Sequence, residues 1–388
     1  MQYRKFGKSD WKVSALGFGV MRMPVIDGDS SKIDEQEGTR MVRYAIDHGV
    51  NYVDTAYPYH GGNSELFVGR VLQDGYREKV RLATKMPAWL IEAPEDFDKY
   101  LDEQLEKLQT DYVDFYLLHG LNLDRWTKIH ELGILDWVDK PKSDGRIRNI
   151  GFSFHDTTDT FKKIIDAYDK WDFCQIQYNY MDIERQAGTE GLKYAASKGL
   201  AVVIMEPLLG GRLVEPPDPI KELWDSTPTK RSPVDWALQW LWNLPEVSVV
   251  LSGMSTLQHV QENVISANSS GIGTITDEEQ AIIDRVREKY QELSPINCTR
   301  CEYCLPCSEG LDIPQILSMF NSGKMYDKLE MARNMYERFV PEDKRAAFCI
   351  ACQECEERCP QEIPISEWMV KVDKVLAQGM SYEDVLEV

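Results

Sequence analysis

The chain has 388 residues, 44 of them Lys or Arg and 64 Asp or Glu, for a formal net charge of −20, with 43% hydrophobic and 28% charged residues. That balance belongs to a folded globular protein rather than a disordered one, and so negative a surface repels phosphate backbones and anionic lipid, which argues against nucleic acid as a partner. No apolar run reaches the ~18 residues of a membrane span, and Met1 to Asp10 carries charge instead of the apolar core of a secretory signal; a cytoplasmic enzyme without a membrane partner is expected.

In chain order, the first part alternates strand and helix. Strands are expected at Leu16–Val20, Asn51–Asp54, Val80–Lys85, Tyr112–Leu118, Ile147–Ser153, Phe173–Gln177, Ala201–Glu206 and Ser248–Gly253, short runs rich in Val, Ile, Tyr and Phe. Between them, stretches such as Glu95–Leu108 and Thr189–Lys198 repeat apolar residues three and four apart, the period of an amphipathic helix. Eight such units in about 270 residues match the rhythm of a (β/α)8 TIM barrel. A doubly wound open sheet is the rival, but Gly17-Phe18-Gly19 lacks both the third glycine and the following helix of a dinucleotide fingerprint. Cys174, inside the sixth strand, reads as a small core residue. The irregular stretch from Pro207 to Pro233 reads either as a cofactor-covering lid or as a surface insertion.

Past residue 285 the composition changes. Eight of the nine cysteines fall in two runs, Cys298-x2-Cys301-x2-Cys304-x2-Cys307 and Cys349-x2-Cys352-x2-Cys355-x3-Cys359-Pro360. In a reducing compartment such runs ligate metal rather than form disulfides. The second fits the bacterial ferredoxin pattern for 4Fe–4S clusters, final proline included, whereas the first closes with x2 and Ser308. Zinc, usually held by two separated pairs, is the nearest alternative. In two-cluster proteins the fourth cysteine of each run binds the other cluster, which assigns Cys298, Cys301, Cys304 and Cys359 to one cluster and Cys349, Cys352, Cys355 and Cys307 to the other. Ile313–Phe320 and Tyr326–Phe339 look helical, and the whole tail resembles an alpha-helical ferredoxin domain. The expected organisation is therefore α/β, with a TIM barrel over 1–285 and a small, mainly helical ferredoxin-like domain with two 4Fe–4S clusters over 286–388.

A barrel concentrates chemistry at the C-terminal ends of its strands, and there the expected strands carry Asp54, Lys85, His119, Ser153 and Gln175. Any one of these reads as a solvated loop start; five at consecutive strands point to one mouth. Their surroundings are Asn51-Tyr52-Val53-Asp54-Thr55-Ala56-Tyr57-Pro58-Tyr59, Ala83-Thr84-Lys85, Tyr116-Leu117-Leu118-His119, Gly151-Phe152-Ser153, Gln175-Ile176-Gln177-Tyr178-Asn179, and Gly253-Met254-Ser255 ahead of Glu262-Asn263. In this order, over roughly residues 1 to 270, they resemble the aldo/keto reductase family.

The resemblance implies a catalytic tetrad of Asp54, Tyr59, Lys85 and His119. Its logic is electrostatic: the alkoxide left by hydride addition must be protonated as it forms, a free phenol near pKa 10 is a reluctant donor, and an ammonium beside it lowers that barrier. Asp54 would hold the ammonium, and His119 would hydrogen-bond the carbonyl oxygen. Tyr57 competes as the donor; Tyr59 is preferred because its five-residue offset from Asp54 matches the family's spacing. The resemblance further implies that Gly19, Ser153, Gln175, Met205, Gly253, Ser255, His259, Glu262 and Asn263 bind NADP or NAD, with Ser153 and Gln175 on the carboxamide and the eighth loop along the adenosine. The sequence departs from the family where Ser153-Phe154-His155 replaces Ser-Asn and where Met205 replaces a stacking aromatic. It departs again where Met254 and His259 replace cations for the 2′-phosphate, which leaves the choice of NADP or NAD open, with Arg212 as a compensating cation.

The function expected is reduction of a small-molecule carbonyl substrate, an aldehyde or ketone, by NAD(P)H, with the clusters serving electron relay or structure and an external electron-transfer protein as a partner. The alternative is a ferredoxin-linked electron-transfer or redox-sensing protein whose barrel binds nucleotide with little carbonyl reduction. Trp89, Trp126 and Trp224 read as substrate-pocket walls or as packing.

Overall fold

The structure, a computed structural model that describes residues 1–386, closes the eight expected strands into one parallel barrel. They are β1 (Leu16–Gly19), β2 (Tyr52–Asp54), β3 (Arg81–Met86), β4 (Val113–Leu121), β5 (Ile147–Phe154), β6 (Phe173–Gln177), β7 (Ala201–Met205) and β8 (Val247–Ser252), and β8 returns to pair with β1 at Val250↔Leu16. Parallel strands are covered on both faces, so they read as continuous apolar runs; every residue of β6 and β8 is buried. Phe173–Gln177 has its expected ends and the other strands are shifted at one end or both, two of them for a visible reason. The first strand stops at Gly19 because Val20–Arg22 winds into a 3-10 turn, and β4 runs past Leu118 to Leu121 through a register shift against β5.

A short hairpin, Tyr3–Lys5 with Lys12–Ser14, carries Phe6 into the barrel interior. The Phe6 ring stands 4.7 Å from Phe115 and 5.8 Å from Phe173, in one apolar cluster with Tyr52, Leu117 and Val249. Burial of this size is the main stabilising contribution to the barrel, and it fills the interior toward the strand starts, leaving polar residues to the strand ends. Several helices open on a side chain that caps their first turn: Asp34 accepts from Glu37 N–H, Asn122 from Arg125, Thr157 from Thr160 and Thr256 from His259. The helix Glu95–Leu108 has its expected ends, and the next one expected is shifted by a residue to Gly188–Ser197.

The chain resolves into two compact units, Met1–Gly210 with Val234–Thr276, and Gly211–Pro233 with the chain from Asp277 on. The described residues of the second unit are helices and turns. Ile313–Met325, Leu329–Phe339 and Ile365–Leu376 pack around Ile316, Phe320, Tyr336, Met369 and Val372. Residues of the barrel's seventh loop belong to this unit and are tied into it by ion pairs: Lys328 to Glu215 at 2.9 Å and Arg231 to Glu279 at 2.7 Å.

Candidate active site

The strand ends bring a charged group into a dry setting. Lys85, one residue from the end of β3, is 0% exposed; its Nζ donates to Asp54 Oδ1 at 2.6 Å, to the Thr55 carbonyl at 2.7 Å and to the Tyr59 hydroxyl at 3.5 Å. Its backbone is pinned from behind, where Gln104 donates to the Lys85 carbonyl at 3.0 Å and also to the buried Glu65 carboxyl. Burial alone would lower the Lys85 pKa, but Asp54 and then Tyr59 outweigh it and the net shift is upward, so Lys85 keeps its proton. For Tyr59 burial is the largest influence and raises the pKa; Lys85 pulls it back down, Asp54 and Glu206 push it up, and the net is upward. Lys85 thus acts in the expected sense, but depth of burial decides the outcome. His119 is moved well down, by burial first and then by the Lys85 charge, with smaller contributions from His155 and Arg125. At neutral pH the group is therefore a charged Lys85, a protonated Tyr59 and a neutral His119.

The other predicted donor is elsewhere. Tyr57 donates its hydroxyl to Glu103 at 3.1 Å, with Lys107 over its ring. Tyr59 faces His119 edge-on, ring centroids 6.0 Å apart, and the Trp89 ring stands tilted 5.1 Å from that of His119. Trp89 thus lies beside a strand-end residue, whereas Trp126 packs on Trp171 and Trp224 is buried. What aims His119 is a bulge in β4: Gly120 has φ +63 at the register shift, and its N–H donates to Ser153 Oγ at 2.7 Å. Bulges of this kind redirect one side chain at a barrel rim.

Ser153 and Gln175 are direct partners in the β5–β6 ladder and both are buried. Gln175 Nε2 reaches Met205 Sδ at 3.7 Å, and its Oε1 has no partner; His119 Nδ1 is likewise buried and unpartnered. Unsatisfied polar atoms at such depth are rare and call for a ligand. An amide oxygen and a poorly engaged amide N–H suit a carboxamide, so these residues fit a nicotinamide. Along the eighth loop, Gly253, Ser255, His259 and Glu262 are exposed, and Glu262 accepts from Gln258. Asn263 is buried and donates to Ser252 Oγ at 3.0 Å, which ties the last helix, Leu257–Asn268, to β8. Met254 is turned inward, and Arg212 donates to Met335 Sδ at 2.8 Å. A Cβ on Gly19 would stand 3.4 Å from the Ser252 carbonyl, so this strand end sits against the eighth loop. Sequence reasoning missed Thr55, Gly120 and Gln104; only Gly120, a glycine directly after a polar strand end, left a signal.

In the second unit, Cys298, Cys301, Cys304 and Cys359 line one small pocket together with Ile313, Leu317 and Ile365. Cys355 has Cys349 and Cys352 as electrostatic neighbours, and Cys307 borders a groove with Glu354, Glu357 and Arg358 of the second run. Among the described residues no three His, Cys, Asp or Glu side chains converge as a single-ion site. Four thiols around one pocket, drawn from both runs, fit the donor set of an iron–sulfur cluster, which takes one thiolate per iron corner.

Comparison with known proteins agrees with this division. A model of the aldo/keto reductase family matches residues 15–288, and one of the 4Fe-4S dicluster domain matches residues 297–364. The chain belongs to the aldo/keto reductase family, as an oxidoreductase with a C-terminal 4Fe–4S domain. L-galactose dehydrogenase of Arabidopsis thaliana is 30% identical over 325 residues, 74% of this chain and 96% of its own. The NADH-specific methylglyoxal reductase of Escherichia coli is 26% identical over 309 residues, 68% and 92%. Among solved structures, the holo form of an aldo-keto reductase from Bacillus halodurans is 29% identical with a TM-score of 0.61, covering 74% of this chain and 96% of that one.

Proposed function

We propose that the protein reduces a small aldehyde or ketone to the alcohol at the expense of NADH or NADPH, with Tyr59 as the proton donor. The observation that supports it most is the buried Lys85 ammonium shared between Asp54 and the Tyr59 hydroxyl, beside a His119 and a Gln175 that each keep a buried polar atom unpartnered. A bound reduced nicotinamide supplies the hydride that adds to the carbonyl carbon. The protein does the rest. The Tyr59 O–H bond breaks as the new alcohol O–H bond forms, and the phenolate left behind is stabilised by Lys85, whose charge Asp54 sustains. Neutral His119 donates one ring N–H to the carbonyl oxygen and so orients it. Ser153 Oγ already accepts from Gly120, so its own O–H is free to donate to the carboxamide; Gln175 accepts from it.

In this reading residues 1–285 form the reductase domain and 286–388 the ferredoxin-like one, where the eight cysteines hold two 4Fe–4S clusters in the crossed arrangement, Cys359 with the first run and Cys307 with the second. Clusters carry single electrons, so they serve a relay to an external electron-transfer protein or bind the tail together rather than exchange directly with a nicotinamide. With no guanidinium at position 254 or 259, NADH is accepted as readily as NADPH. The second reading, electron transfer with little carbonyl chemistry, is favoured by Tyr303 and Ile350, 65% and 63% exposed within the cysteine runs. The deciding test is turnover of a panel of small aldehydes with NADH and NADPH. Tyr59→Phe abolishes turnover while nucleotide binding persists, and Tyr57→Phe retains it; turnover surviving in Tyr59→Phe defeats the assignment.

A further inference from the structure

Building on the reductase reading, we propose that Arg22 is the cation that grips the pyrophosphate of the dinucleotide. Arg22 ends the Val20–Arg22 turn just past β1, on the rim where Gly19 pairs with Asp54. Its side chain is exposed, and among the described residues no carboxylate or other hydrogen-bonding partner engages it. A Cβ on Gly253 would come within 3.2 Å of Arg22 Cδ, and one on Gly210 would stand 3.5 Å from its Nη2. The stem thus lies across the eighth loop while the guanidinium stands at the start of the seventh. Both places are glycine, so no Cβ stands between the backbone and an approaching anion.

The position suits the middle of the ligand. Gln175 and Met205 mark the nicotinamide end at β6 and β7, and the eighth loop marks the adenosine end; the guanidinium lies between the two. Two other cations of the strand ends are engaged, Lys85 with Asp54 and Arg125 with the Gly120 carbonyl at 2.7 Å. The first turn of the adjoining helix Leu257–Asn268 contains no acidic residue, so nothing there repels a phosphate. In a chain of net charge −20, a doubly negative pyrophosphate needs a local positive charge to enter at all. A guanidinium fork reaches two phosphate oxygens together.

The test is Arg22→Met, which keeps an apolar stem over Gly253 and removes the charge. Binding of NADH, NADPH and ADP-ribose is followed by quenching of protein fluorescence at low and moderate salt. All three Kd values rise by a similar factor, roughly tenfold or more, and the salt dependence of the wild type becomes shallower. Arg22→Lys recovers part of the loss. An unchanged ADP-ribose Kd overturns the proposal, as does a loss confined to NADPH, which would move Arg22 to the 2′-phosphate. If the wild type binds none of the three, the reductase reading itself falls; if it binds them and Arg22→Met binds as well, only the role of Arg22 falls.

Discussion

Replacing Lys85 by Met removes the charge on which the proton transfer depends. Across the 3.5 Å between Lys85 Nζ and the Tyr59 hydroxyl, at an effective dielectric constant of about 20, ammonium and phenolate attract by about 5 kcal/mol at most, equivalent to about three and a half pKa units. The chemical step therefore slows by up to about three-thousandfold. The pH profile carries the sign. Alcohol oxidation requires the Tyr59 phenolate and rises with pH through its pKa; without Lys85 that rise moves to higher pH. Reduction requires the protonated phenol, which is present at neutral pH in both proteins, so there the loss reflects the unstabilised phenolate alone. The assay is kcat/KM for alcohol oxidation against pH, wild type beside variant. Because Lys85→Met strands the Asp54 carboxylate, 3% exposed, it also destabilises the fold by about 3–5 kcal/mol. Asp54→Asn with Lys85→Met restores most of that stability but not the rate. A well-folded double variant with an unshifted profile and a rate within tenfold of wild type refutes the reasoning.

Gln175→Leu removes the unpartnered amide and weakens NADH and NADPH binding by roughly tenfold, while ADP-ribose, which has no nicotinamide, binds as before in the same fluorescence titration. Gly120→Ala places a Cβ at φ +63 and 3.0 Å from Arg125 Nη1; the left-handed backbone costs about 1–2 kcal/mol in thermal unfolding, and carbonyl reduction drops as the bulge that aims His119 is disturbed. Cys359→Ser strips the ligand set at Cys298, Cys301 and Cys304 and halves the iron retained after anaerobic purification, with the Cys349, Cys352, Cys355 and Cys307 site still visible in the optical spectrum.

The barrel was readable because parallel strands, buried on both faces, announce themselves as apolar runs at even spacing, and because a barrel collects its strand ends on one rim. Asp54 and Lys85 could be named from position alone, whereas the preference for Tyr59 over Tyr57 rested on the family's spacing; the Tyr57 bond to Glu103 joins segments far apart in sequence and left no sign there. Features decided by pairing between distant segments left little trace. The bulge at Gly120 depends on the register with β5, and the grouping of Gly211–Pro233 with the tail depends on ion pairs to Lys328 and Glu279. Asn263, a cofactor contact by family resemblance, also ties its helix to β8 through Ser252 Oγ, a link that depends on packing between distant segments. The upward shift of Tyr59 follows from how deeply it sits, a quantity no local motif encodes. Arg22 escaped notice for the opposite reason: an isolated arginine after a strand is unremarkable until two glycines from other loops are seen beneath it.

The most direct test of the central claim is a single-turnover mixing experiment in which the protein, loaded with one equivalent of reduced nicotinamide under anaerobic conditions, meets an excess of a small aldehyde. The bound nicotinamide is oxidised and one equivalent of alcohol forms in the wild type, and the phase disappears in Tyr59→Phe with the nucleotide still bound. Tight nucleotide binding without that oxidation, across the aldehyde panel, would contradict it and leave the barrel a sensor or an electron-transfer platform.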